Sequence, residues 1–194
     1  MRFLLQWQHK ESKLHREVRK ASPSVEAVRT ALRFFQVSRN FSGIDKDDRA
    51  LRVTRELVNV RTQSDMHPVE SVEALADAFR RAKFQRNISA ASKLLWLSSR
   101  SPFKIYDDRA WIALRKLGAD PGPKGDYATY FDAWKKEYAK YKTGIEAAVQ
   151  LLPSARPFLP APQPSETGLR RVVQKGWFKE RVFDIYLWEL GGEG

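Results

Sequence analysis

The sequence predicts an all-α fold, and three observations support this prediction. Apolar residues recur at helical spacing along most of the 194 residues, whereas convincing strand alternation is scarce. Residues that cap helices, such as serine, asparagine and aspartate, stand before several of these apolar runs. Apolar side chains make up 42% of the chain, enough for a globular fold rather than disorder. No internal repeat is visible, so we expect a single helical domain over residues 1–194, built as two lobes.

Three helices are predicted in the first part of the chain. The first starts at Ser22–Glu26, where serine caps and a proline favour a helix start. A break at Asn40–Gly43 precedes a second helix that opens with the aspartates of the stretch Asp45–Asp48. We interpret these carboxylates as complements of the helix dipole rather than as a metal site. The third helix is expected over Pro68–Lys83, and it ends in a basic patch.

Two further helices follow in the middle of the chain. Asn87 is expected to cap a helix formed by the run Ile88–Leu97, which is too apolar on every side for an ordinary surface helix. Asp107 or Asp108 caps the next helix, which stops at Gly118.

The last third of the chain is rich in aromatic residues. Tyr127–Leu152 is predicted as one long helical stretch. Five prolines in Pro153–Pro164 indicate a linker or a wrapping segment, which we take as the connection between the two lobes. Leu169–Leu190 is expected to form one or two closing helices, so apolar that they return to the main core.

Charge favours a polyanionic partner. The chain has 35 Lys and Arg against 23 Asp and Glu, a formal net charge of +12 and a pI near 10.0. DNA or RNA is the leading candidate, and the aromatic residues offer surfaces for stacking on bases. A membrane surface is disfavoured, because no segment is a continuous apolar span and no basic amphipathic helix dominates.

The chain contains no cysteine, which excludes disulfides, zinc fingers and thiol nucleophiles. Met1–Leu5 begins like a signal peptide, but polar residues interrupt the apolar stretch too early. The three histidines have no metal-ligand spacing. We therefore expect a cytoplasmic protein, without a metal site and without a cofactor.

Lys93 is the only charged residue in the apolar run, and taking an ammonium out of water is costly. Such a lysine should have a lowered pKa, and a neutral amine can attack a sugar C1′. Asp107, at the start of a later helix, should stay ionised and can stabilise the oxocarbenium-like charge of a breaking glycosidic bond. The alternative is that Lys93 reaches solvent along its stem and that Asp107, or equally Asp108, is only a cap.

The stretches Ser89–Trp96 and Pro102–Arg109 resemble the catalytic core of helix-hairpin-helix DNA glycosylases. They are most similar to divergent bacterial proteins with an 8-oxoguanine-glycosylase-like fold, and Arg181–Trp188 is similar to the closing helix of that group. The resemblance implies a two-lobed helical bundle in which Lys93 matches the Schiff-base lysine and Asp107 the essential aspartate. The superfamily's hairpin glycines have no counterpart here, so basic side chains are expected to anchor the DNA instead.

On this basis the chain is expected to be a monomeric DNA glycosylase, with or without lyase activity, that flips a modified base out of double-stranded DNA. The expected pocket walls are aromatic: Trp96, Tyr106, Trp111 and Trp134. The expected DNA contacts are basic: Arg81, Lys83, Arg86, Lys104 and Arg109. The resemblance suggests an oxidised purine as substrate, whereas the short, divergent core suggests a hypermodified cytosine of phage DNA, such as glucosylated hydroxymethylcytosine, and hence anti-phage defence.

Two other classes remain open at the level of sequence. One is a non-catalytic helical DNA-binding protein, for which Lys93→Ala would leave DNA affinity nearly intact. The other is a nuclease in which Asp107 and Asp108, together with Asp184, hold a magnesium ion. Sensitivity to a chelator distinguishes the nuclease, since a glycosylase of this type needs no metal.

Overall fold

Helices form the entire regular structure in the part of the chain that the structure, a computed structural model, describes: residues 4, 7–63, 65–159 and 163–192. No β-strand occurs in these ranges, which confirms the predicted all-α class. The chain divides into two compact units. The first unit comprises Glu11–Tyr106 and Gly125–Ala128, and the second comprises the described residues of Met1–Lys10, Asp107–Lys124 and Thr129–Gly194.

The first unit contains α1 (Ser12–Val18), α2 (Val25–Phe34), α3 (Asp47–Arg61), α4 (Pro68–Arg81) and α5 (Ile88–Ser99). Side-chain caps fix several of these starts. Asn87 caps α5 as predicted, since its Oδ1 accepts from Ala90 N at 2.8 Å. The cap of α2 is Ser24, which accepts from Ala27 N, so the helix starts at Val25, later than Ser22 suggested.

The acidic stretch before α3 serves two purposes. Asp47 and Asp48 lie in the first turn of α3, where they complement the helix dipole as expected, but the residue at the cap position is Lys46, which makes no side-chain cap bond. Asp45 pairs with Arg33, and Asp47 accepts from Arg29 at 2.7 Å. These ion pairs join the end of the loop to α2.

Helix α5 is the central helix of the first unit. Ten of its twelve residues are buried, as its uniformly apolar sequence predicted, and α1, α2, α3 and α4 all pack against it. At roughly 25 cal/mol per Å² of buried apolar surface, these contacts are the main stabilising term for the helix. A central helix with so little exposed surface holds its polar side chains in fixed positions.

His15 joins α1 to the carboxyl end of α5. Its Nδ1 lies 2.6 Å from Leu97 O, where a helix leaves carbonyls without intrahelical partners. Burial lowers the pKa of His15, the hydrogen bond to Leu97 opposes this, and Arg100 and Arg19 lower it further. Arg100 remains charged, although burial lowers its own pKa to about 10.

The shifted pKa of His15 predicts a loss of stability in acid. The unfolded chain binds the proton near the ordinary value of 6.5, whereas the folded chain resists it. The free energy of unfolding should therefore be greatest above pH 6.5 and fall as the pH drops towards the folded-state pKa, below which His15 contributes no further change. Urea unfolding between pH 8 and pH 5 measures this. His15→Phe should remove that part of the pH dependence and lower stability at pH 8 by about 1 kcal/mol, the net value of a hydrogen bond; an identical pH profile would contradict the assignment.

The second unit contains α6 (Asp108–Lys116), most of α7 (Tyr127–Gln150), α8 (Glu166–Val173) and α9 (Gly176–Gly192). The predicted long helix is thus confirmed, and the closing segment forms two helices. In the proline-rich stretch, Leu152–Phe158 forms a 3₁₀ helix and Leu159 is buried against α7, α8 and α9. Residues 160–162 of that stretch lie outside the described residues, as do Met1–Phe3 and Leu5 of the stretch Met1–Leu5.

The end of α9 is pressed against the start of α6. A side chain on Gly191 would place its Cβ 1.9 Å from the carbonyl oxygen of Arg109, so only glycine fits there. Lys116 donates to Leu190 O at 3.0 Å, and the Arg109 guanidinium lies 4.2 Å from the Trp188 ring centroid. These contacts hold both ends of α6 against the end of α9. None of the helices in the described ranges is both long enough and apolar enough to cross a bilayer.

Candidate functional site

Lys93 lies on the central helix α5 and is only 4% exposed. Its Nζ donates to Ser89 Oγ at 2.8 Å, one helical turn earlier on the same face. The Phe35 ring centroid lies 5.9 Å from the same nitrogen. The lysine is therefore held inside the first unit, and it does not extend its amine into bulk solvent.

The residues around Lys93 tie the chain after α5 back onto this helix. Ser92 Oγ donates to Ser89 O at 3.1 Å and accepts from Tyr106 N at 3.0 Å. The Tyr106 hydroxyl accepts from Gly125 N at 2.9 Å. Sequence analysis did not single out Ser89 and Ser92. The sequence did contain an indication of their role, because Ser89 stands four positions and Ser92 one position before the isolated Lys93.

Tyr127 holds the same segment from the other side. Its hydroxyl accepts from Lys104 N at 3.1 Å and donates to Lys104 O at 2.7 Å. Tyr127 is fully buried, so its two hydrogen bonds hold the backbone of Lys104 in place. Its role was not apparent from the sequence, where Tyr127 is only the first of a series of aromatic residues.

Asp107 is the cap of α6, and this settles the choice that the sequence left open. Its Oδ1 accepts from Arg109 N at 3.0 Å, which is the bond of an N-cap residue. Asp108 lies in the first turn instead, with its side chain 68% exposed and 3.5 Å from Lys124 Nζ. The cap position places the Asp107 carboxylate at the N-terminus of α6, the positive end of the helix dipole.

The four predicted pocket aromatics differ in exposure. Trp96, Tyr106 and Trp134 are buried, and Trp134 Nε1 donates to Asp184 Oδ1 at 2.9 Å. These three side chains are core residues, with no open ring face on which a base could stack in this structure. Trp111 is partly exposed.

Trp111 lies close to two cations of the second unit. Its Nε1 donates to Gly122 O at 3.0 Å, which fixes the plane of the indole. The Arg115 guanidinium lies 5.0 Å from the ring centroid and the Lys124 ammonium 5.5 Å from it. A fixed, partly exposed indole with two neighbouring cations suits a stacked base and its phosphates.

The predicted DNA-contacting residues of the first unit also differ in exposure and in ion pairing. Arg81 and Lys83 are exposed. Arg86 is bound in ion pairs with Glu73 and with Asp77, at 3.1 Å for the latter. Burial raises the pKa of Glu73, and the Arg86 charge opposes that shift. The Arg86 charge is therefore used in ion pairs within the first unit, and less of it is available to a DNA phosphate.

Lys104 requires a correction. Lys104 is only 5% exposed, and its backbone is hydrogen-bonded to the buried Tyr127. It therefore does not present its amine at the surface, as a side chain that contacts DNA would. Arg109 in the second unit is exposed and lies over Trp188, which leaves its outer edge accessible. Arg81, Lys83 and Arg109 thus fit the predicted role better than Arg86 and Lys104.

The third aspartate of the magnesium alternative is engaged elsewhere. Asp184 is buried, accepts from Trp134, and lies 4.0 Å from Arg181 Nη1. In the described part of the chain, no three or more His, Asp and Glu side chains are grouped in a way that would hold a metal ion.

The predicted site residues are divided between the two units. The first unit contains Arg81, Lys83, Arg86, Lys93, Trp96, Lys104 and Tyr106, and the second contains Asp107, Arg109, Trp111 and Trp134. Within the first unit, the structure brings together Lys93, its hydroxyl neighbours and the segment that ends at Tyr106. No protein-family model matches this chain, and no curated protein and no solved structure is significantly similar to it.

Proposed function

We propose that this protein is a DNA glycosylase that excises a modified base from double-stranded DNA. The observation that carries the proposal is Lys93, a buried lysine bound to Ser89 Oγ on the central helix of the first unit. Taking a lysine ammonium out of water is costly, so a buried lysine calls for a reason. Active sites are places where proteins put buried ionisable groups beside specific partners.

The proposed chemistry assigns separate roles to two groups. As the bond between C1′ and the base nitrogen breaks, the electron pair leaves with the base and positive charge develops on the sugar. The Asp107 carboxylate stabilises that charge. The neutral amine of Lys93 then forms a bond to C1′ and loses a proton. The C1′–O4′ bond breaks as the sugar ring opens, O4′ takes up a proton, and a Schiff base between Lys93 and C1′ remains. Alternatively the amine orients a water molecule that adds to C1′, and an abasic site results.

The proposal requires Lys93 and Asp107 to act on one sugar. Within the first unit, the bond from Tyr106 N to Ser92 Oγ ties the end of the segment before Asp107 to the helix that carries Lys93. A lysine on the helix that follows the hairpin turn, together with an aspartate at a later helix start, also supports a helix-hairpin-helix fold, in which α4 and α5 form the hairpin.

Several surface features fit a DNA partner. The formal net charge of +12 favours a phosphate backbone. Arg81, Lys83 and Arg109 are exposed cations, and Trp111 is a partly exposed aromatic side chain close to two more. We propose two substrate classes, an oxidised purine or a glucosylated hydroxymethylcytosine of phage DNA; the second would make the protein an anti-phage enzyme.

A product assay tests the proposal directly. The purified protein is incubated with DNA that contains 8-oxoguanine and with phage DNA that contains glucosylated cytosine, in the presence of EDTA. Mass spectrometry should detect one of the two bases released, and borohydride should trap a protein–DNA complex if Lys93 attacks C1′. Absence of any released base and of any trapped complex on both DNAs would refute the proposal.

The same charge supports a second candidate, a non-catalytic DNA-binding protein. In that case the protein would bind unmodified and modified duplexes equally, and no base would be released from either. Lys93→Met would then leave DNA affinity unchanged, because a buried amine contributes little to a phosphate contact.

A further inference from the structure

A concavity lies in the first unit where the chain passes from α2 to α3. It is formed by the segment 38–45, a 3₁₀ turn at Ser38–Asn40 followed by bends, together with Arg33, and it encloses about 330 Å³. Gly43 at φ +71° allows the segment to turn back on itself. We call this feature the 38–45 concavity.

The floor of the 38–45 concavity is formed by buried, packed side chains. Phe41 is buried, and its ring centroid lies 5.0 Å from that of Phe79 and 5.3 Å from that of Phe84. Ile44 is also buried. The segment is therefore anchored to α4 and to the turn that follows it, and its polar residues are presented on a fixed base.

The charge within the concavity is positive. Its acid, Asp45, is paired with Arg33, which also lies 3.7 Å from Glu26. Arg39 is exposed, and in the described ranges no acid pairs with its guanidinium. Arg39 thus supplies a cation whose charge is not neutralised by its neighbours.

Two serine hydroxyls complete the lining, and a third arginine, Arg49, binds the backbone of the segment. Ser38 and Ser42 line the concavity, and no hydrogen bond to either hydroxyl occurs within the described residues. Arg49 donates to Ser42 O at 3.2 Å and to Lys83 O at 3.1 Å, and its guanidinium lies 4.1 Å from the Phe84 ring centroid. Arg49 therefore connects the segment to the turn after α4, where Lys83 is exposed.

We propose that the 38–45 concavity binds a phosphate group, with Arg39 as the charged ligand and the Ser38 and Ser42 hydroxyls as donors. An arginine and hydroxyl groups provide the charge-assisted hydrogen bonds that phosphate oxygens accept. The phosphate belongs to a nucleic-acid backbone or to a free phosphate or nucleotide. Only the first source rests on the proposed function.

Binding of inorganic phosphate tests the site without any reaction. Sodium phosphate is added to the full chain, and the backbone amides are followed by NMR. Saturable shifts are expected at residues 38–45, and Arg39→Gln should weaken the binding about tenfold or more. The control is Arg16→Gln on α1, the same change at another exposed arginine, which should bind phosphate like the unmodified protein. No shifts at 38–45, or equal phosphate binding by Arg39→Gln, would overturn the proposal.

A short DNA duplex then identifies the source of the phosphate. If the ligand is a DNA backbone, Arg39→Gln should weaken duplex binding, and the slope of log K against log salt should fall by about 1. If phosphate binding is lost but duplex affinity is unchanged, the site serves a free phosphate or nucleotide. Base release by the unmodified protein is measured separately, so its absence would refute the glycosylase and leave the phosphate site standing.

Discussion

Asp107→Asn should lower the rate of base release by about 100-fold or more while leaving the protein folded. Removing a single group that stabilises transition-state charge typically costs two to three orders of magnitude in rate. Asparagine caps helices about as well as aspartate, so the bond to Arg109 N should persist and α6 should still begin at Asp108. Single-turnover release of the base, with circular dichroism and thermal unfolding as checks of the fold, measures both effects.

Asp108→Asn is the matched control, because it makes the same chemical change one residue later. The Asp108 side chain is exposed and faces Lys124, and exposed ion pairs contribute at most about 1 kcal/mol to stability. We expect base release by this variant within about twofold of the unmodified protein, the scale of a small surface effect. Equal losses in the two variants, or none in either, would show that Asp107 is only a cap.

Lys93→Met should abolish any borohydride-trapped complex and reduce base release by about 100-fold or more, since positioned nucleophiles and bases contribute two to four orders of magnitude. Methionine has a similar length and no charge, and Lys93 is 4% exposed. Replacing a buried charge by an apolar side chain of like volume is often neutral or stabilising, so the melting temperature should stay the same or rise. Gain of stability with loss of activity is the mark of a residue kept for chemistry.

Lys13→Met serves as the control for this variant, because Lys13 is an exposed lysine on α1 of the same unit. It should retain trapping and base release. A Lys93→Met protein that is folded and still forms the trapped complex would assign the nucleophile to another amine. If base release is lost while trapping was never present in the unmodified protein, Lys93 acts by orienting water.

Local rules in the sequence determined most of the helices. Asn87 has the side chain that a cap needs, and it caps α5 as predicted. The run from Ile88 is apolar on every side, and a helix of that kind can only be stable when other helices surround it, as they do here. Lys93 could be recognised as unusual from the sequence alone, because it is the only charged residue in that apolar run.

The sequence predicted two lobes, but the boundaries of the two units were not visible in it. The proline-rich stretch suggested a connection near residues 153–164, whereas residues up to Leu159 pack in the core of the second unit. The contacts that define the units, such as α6 against α9, join residues far apart in the chain. Composition and periodicity report only on near neighbours.

The sequence by itself determined the all-α class, the positive charge and the two residues on which the proposed chemistry rests. Only the tertiary structure decided that Lys93 is buried and bound to Ser89, that Lys104 is buried too, and that Trp96 and Trp134 are core side chains. Helix formation and net charge depend on local sequence and composition, whereas burial depends on which distant segments cover a residue. That is why two residues of the same type can differ in role: one tryptophan on a helix is a buried core side chain, and another is partly exposed.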